Sequence, residues 1–176
     1  MDPVRSSKLW KQLSPERRLE AARAFWENEE DADQTEAVVA IAQQLRFRPK
    51  SAAALPAEKL AKYLAGLPTI SDVLASRLLI SYHLSQQRPM MSRFLDELGI
   101  AHDNGLITEE RIAPPEAARL AVAAEALRRD YPHADVDLYF ATLVSQDPET
   151  WEGLVGVRSG IRQLTDTRDT VARSES

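Results

Sequence analysis

Glycine does not occur in this chain before Gly66. Only six glycines occur in 176 residues, and ten prolines mark the starts and stops of apolar-periodic stretches. Few positions are therefore free to take left-handed backbone, and proline stands where helices begin. The residues between these punctuation marks decide the fold class. Ala occurs 25 times and Leu 21, against 25 for Val, Ile and Thr together. That balance favours helix over strand.

The pattern predicts seven or eight helices of unequal length. A short turn over Lys8 to Leu13 puts Leu9, Trp10 and Leu13 on one side. Ser14 is a natural N-cap with Pro15 at the first helical position, opening a helix to about Asn28 with Leu19, Ala22, Phe25 and Trp26 inward. A second spans about Thr35 to Leu45, with Val38, Val39, Ala42 and Leu45 as its apolar stripe. Ala57 to Gly66 is a third, with Leu60, Tyr63 and Leu64 inward and Gly66 as the stop. Ser71-Asp72 caps the next, to residue 86, which is apolar nearly all round and so reads as the central core helix.

Pro89 opens a helix closed by Gly99. A loop over Ile100–Ile107 carries an Asp103-Asn104-Gly105 turn, and Thr108-Glu109-Glu110 is placed to begin one more turn. An alanine-rich helix from Pro114-Pro115-Glu116 to Arg129 has little bulk, which suits close helix approach. Ala134 to Val144 is next, and a short helix from Asp147-Pro148-Glu149 carries Trp151 and Leu154. An all-α, irregular orthogonal bundle in one domain, residues 1–155, is expected. A polar tail without an apolar stripe, residues 156–176, is expected to be mobile.

Several classes of chemistry are excluded by absence. The chain has no cysteine, hence no disulfide, thiolate zinc site or iron–sulfur cluster. The glycines are scattered, so neither a P-loop nor a dinucleotide fingerprint is present, and no Gly-x-Ser-x-Gly elbow occurs. Taking Gly105 as the glycine of a calcium loop puts Ile100 and Arg111 at the end ligand positions, which excludes an EF-hand. Asp147 to Trp151 resembles the boundary between tetratricopeptide repeats, but the small-residue pattern of that repeat is missing. No apolar run approaches the ~20 residues of a membrane span. The opening residues lack the apolar core of a secretory leader, so a cytoplasmic protein is expected.

Charge is unevenly placed. Residues 1–88 carry 13 Lys/Arg against 11 Asp/Glu, and residues 89–176 carry 9 against 16. Arg46, Arg48, Lys50, Lys59 and Lys62 form a basic run interleaved with Phe47 and opposed only by Glu58. This 46–62 patch is the candidate surface for nucleic acid, although a net charge of −5 disfavours that partner. A helix-turn-helix over Glu58–Leu79 is disfavoured too, because its second helix is too apolar to lie in a groove. Glu27, Glu29, Glu30, Asp31 and Asp33 form an acidic run, read as solvated and as complementing a helix dipole.

The one candidate constellation for metal chemistry is His83 with the adjacent pair His102-Asp103 and, downstream, Asp137 four residues after His133. Such a set can hold a divalent cation that activates water. The order resembles the HD-domain metal phosphohydrolases, which are all-helical. That resemblance implies a phosphoester hydrolase with His83, His102, Asp103 and Asp137 as ligands. Two features depart from it: Gly99 ends the helix before the His-Asp pair, and the interval from His83 to His102 is short. The favoured expectation is a cofactor-free, metal-free and non-enzymatic helical domain, which acts by protein interaction or as a homo-oligomer. The hydrolase and the nucleic-acid binder are the alternatives.

Overall fold

A computed structural model describes residues 4–28 and 31–155, with the side chains of 31 and 32 excepted. The expected tail lies outside these residues. The chain is all-α, and it divides into two compact units, Met1–Arg88 and Pro89–Ser176.

The first unit holds α1 (Ser6–Gln12), α2 (Pro15–Asn28), α3 (Asp31–Leu45), α4 (Pro49–Ala53), α5 (Ala57–Ala65) and α6 (Asp72–Gln86). Both α5 and α6 pack on α2, and α1 also packs on α6. Alanine allows the close contacts: Ala21 and Ala22 of α2, Ala61 of α5 and Ala75 of α6 are all buried. Larger residues, Phe25, Leu64, Leu74, Leu78 and Leu79, fill the space around them. Ser71 caps α6, its hydroxyl accepting from the Leu74 N–H at 3.1 Å. The next residue ties in α1, since Asp72 Oδ1 accepts from the Ser7 N–H at 3.0 Å. Hydrogen bonding from Ser7 holds the Asp72 carboxyl below the usual carboxylate range.

Several expectations are corrected here. Tyr63, read as inward, is 39% exposed, and Val73, on the helix read as apolar nearly all round and central, is 56% exposed. Gly66 ends α5 at φ −96°, so it is not a left-handed stop. Five-residue α4 was not anticipated, because only Ala52 of its residues is buried and it shows no periodic signal.

The second unit holds α7 (Arg88–Leu98), a hairpin of β1 (His102–Asp103) and β2 (Leu106–Ile107), α8 (Ala117–Asp130) and α9 (His133–Gln146). A helix over residues 148–155, α10, completes the described part. Gly99, at φ +69°, closes α7: the Gly99 and Ile100 N–H groups donate back to Asp96 and Leu95. This is the paired bonding of a left-handed C-terminal cap. The expected loop at 100–107 is instead a hairpin, with His102 opposite Ile107 and Asp103 opposite Leu106. Asn104 and Gly105 both have positive φ, the signature of a two-residue turn matched to strand twist. Residues 108–110 form no further helical turn.

Phe94 organises the core of this unit. Its ring lies 5.0 Å from Phe140, 5.7 Å from Tyr139 and 5.9 Å from Trp151, centre to centre. The alanines of α8 divide by face: Ala123, Ala124 and Ala126 are buried, whereas Ala117, Ala118 and Ala121 are exposed. Only the buried set acts in the expected close approach.

Burial pushes the Tyr139 phenol well above its usual pKa. The folded chain therefore keeps a proton that the unfolded chain releases near pH ~10. Above that pH the unfolded state binds fewer protons, so stability falls with rising pH, by up to about 1.4 kcal/mol per unit from this group. Urea midpoints should fall more steeply between about pH 9 and 11 in the wild type than in Tyr139→Phe. Equal slopes would show that Tyr139 does not carry the effect.

Candidate interaction face

The sequence-predicted metal ligands occupy different settings. His83, in the first unit, is fully buried on α6. Its Nδ1 lies 2.9 Å from Gln87 Oε1, one turn on. The other candidates belong to the second unit. The Gly105 N–H donates to His102 Nδ1 at 3.1 Å, which leaves the ring proton on Nε2. That nitrogen donates to Asp96 Oδ1 at 2.7 Å. His102 thus braces the hairpin turn through Nδ1 and ties the hairpin to α7 through Nε2. Asp103 is exposed at the hairpin. Asp137 accepts from Arg128 Nη2 at 3.1 Å, and that guanidinium also lies over the Phe140 ring, 5.5 Å from its centre. Among the described residues, no group of three or more His, Asp or Glu side chains is placed to hold a metal. No helix among them is long and apolar enough to cross a membrane.

A surface feature of the first unit runs along α3. The inward row of this helix is Ala37, Ile41 and Ala42, all buried. Val38, Val39 and Leu45, read from the sequence as core, are only half-buried. Among the described residues, α4, α5 and α6 pack on α3 without covering these three side chains fully. A groove of about 620 Å³ runs along one flank, between α3 and the segment of α4 and α5. Trp26, Val38, Val39, Pro49, Leu55 and Leu60 give it an apolar wall, with Lys50 beside them. A second hollow, about 430 Å³, lies on the other flank against Ile70, Ser71 and Leu74. Val39 lines both, so α3 is a ridge between two depressions.

Polar contacts fix that ridge. Arg77 of α6 pairs with Asp33, and the Ser71 hydroxyl donates to Glu36 Oε1 at 3.1 Å. Arg23 of α2 clamps Glu58 of α5, with Nη2 2.6 Å from Oε1 and Nε 3.1 Å from Oε2. The hydrogen bond from Arg23 lowers the Glu58 pKa. The single acid of the basic run is therefore already engaged. Arg46, Arg48, Lys50 and Lys59 form no ion pair among the described residues.

The C-terminal end of α3 is strained. Arg46 takes φ +56°, and the Phe47 N–H donates to Ala42 O at 2.9 Å. This is the same cap that Gly99 gives α7, here carried by a residue with a Cβ. A non-glycine residue in this conformation costs roughly 1–2 kcal/mol. The strained turn presents Phe47, 49% exposed, next to three cations. Sequence reasoning found the 46–62 cations and Phe47. It missed the ridge, whose valines were counted as core.

No family model, no curated protein and no solved structure matches the chain.

Proposed function

We propose that this chain is a non-enzymatic helical interaction domain whose working surface is the α3 ridge with its two flanking hollows. One observation carries the reading: Val39 stands half-exposed between two depressions on a helix tied to α6 by polar contacts. An apolar ridge beside an apolar groove is the geometry by which helices are recognised. Strain held at Arg46 adds support, since sparsely populated backbone persists at sites that use it.

The test is positional. A photo-reactive amino acid at position 39 should give protein–protein cross-links in the cell. The same group at position 122, where Val122 is 62% exposed on α8, should give none. Equal labelling from both positions, or none from position 39, overturns the reading.

A further inference from the structure

We propose that the occupant of this face is a second copy of the chain, with the two α3 helices lying antiparallel about a two-fold axis. This rests on the reading of α3 as the interaction surface.

The charge pattern selects the partner. The helix spans 15 residues, or roughly 22 Å. Asp33 and Glu36 stand in its first turns, with Glu27 at the end of α2 before it; Arg46, Arg48 and Lys50 stand at its end. Asp33 is already matched by Arg77, whereas Arg46, Arg48 and Lys50 lack ion pairs among the described residues. A partner of uniform charge would satisfy one end and oppose the other. An antiparallel copy brings an acidic start beside a basic end twice over, as an isologous contact requires. Opposed helix dipoles favour the same orientation.

Register follows from the ridge. An axis passing near Val39 and Ala40 sets each copy's ridge into the groove beside the other. Glu36 then lies across from Gln43, within one turn of the other copy's Arg46. Phe47 falls at the end of the groove lined by Trp26 and Gln34. Among the described residues, the Trp26 indole N–H has no hydrogen-bond partner. The left-handed Arg46 thereby acquires a purpose, because it aims a cation and an aromatic anchor at the neighbouring copy.

Sedimentation velocity of the purified chain over a concentration series tests this. A dimer that weakens with added salt is expected. Val39→Glu should give a monomer with unchanged helical circular dichroism. Arg46→Glu with Arg48→Glu should weaken association by about tenfold or more. Adding Glu27→Arg and Glu36→Arg to that pair should restore it. Arg46→Gly relieves the strained turn, so it should raise the Tm while weakening the dimer, and a folding defect cannot mimic that result. A monomer at every concentration, or a dimer indifferent to both Val39→Glu and Arg46→Gly, overturns the proposal. A monomer that still cross-links another protein from position 39 removes the second copy and keeps the interaction reading. A monomer with no such cross-link removes both.

Discussion

Replacing Phe94 by Ala should cost about 3–5 kcal/mol of stability, measured as a loss in unfolding free energy by urea titration. Phe94 is fully buried and is the ring common to the contacts with Tyr139, Phe140 and Trp151. It therefore joins α7, α9 and α10. Its removal takes away the apolar transfer term and leaves a cavity among rigid aromatics, which cannot collapse into the space as aliphatic chains can. The expected loss thus lies toward the upper part of the range. A loss under about 1 kcal/mol would be that of an ordinary surface change, and would show that the second unit does not depend on this cluster.

That cluster was only partly legible in the sequence. The spacing of Met90, Met91, Phe94, Leu95 and Leu98 marks one helical face, and all five are buried. The bounds came from punctuation: Pro89 and Gly99 bracket α7, while Ser14-Pro15 and Ser71-Asp72 open α2 and α6. Each of these acts through its own backbone or side chain, so local sequence suffices. Two-residue strands are different. His102-Asp103 and Leu106-Ile107 are too short to show alternation, although Asn104-Gly105 carries the signal of the turn between them.

The candidate face was harder to read, for a physical reason. Periodicity says that Val38, Val39, Ile41 and Ala42 belong to an apolar arc, but not how far the neighbours extend around it. The inner part of that arc meets the rest of the first unit, and Val38 and Val39 are left at the rim. Covering them would need a larger element than α4, whose only buried residue is Ala52. Nor does Arg46 carry a composition signal for left-handed backbone, since the usual marker is glycine. His83, His102, Asp103 and Asp137 were singled out by residue type and order. Their observed partners are near in sequence, Gln87 one turn on and Gly105 in the same hairpin, with Asp96 and Arg128 on the adjoining helices. Each partnered group is thus engaged locally, and among the described residues the four are not brought together.

Leu78→Ala should cost about 2–5 kcal/mol, whereas Val73→Ala, five residues earlier on the same helix, should fall within about 0.5 kcal/mol of the wild type. The hydropathy of α6 does not distinguish these positions; both belong to a helix that reads as apolar nearly all round. The structure does distinguish them. Leu78 is fully buried and Val73 is 56% exposed. Since α6 packs on α2, α1 and α3, the space left by Leu78 is bounded by several elements that must all move to close it. Val73 stands in the first turn, past the reach of that packing, and its truncation opens no cavity. Urea unfolding of the two variants beside the wild type makes the comparison. Equal losses would mean that α6 is buried on all sides, as its composition alone suggests, and that the exposed start of this helix is covered in solution.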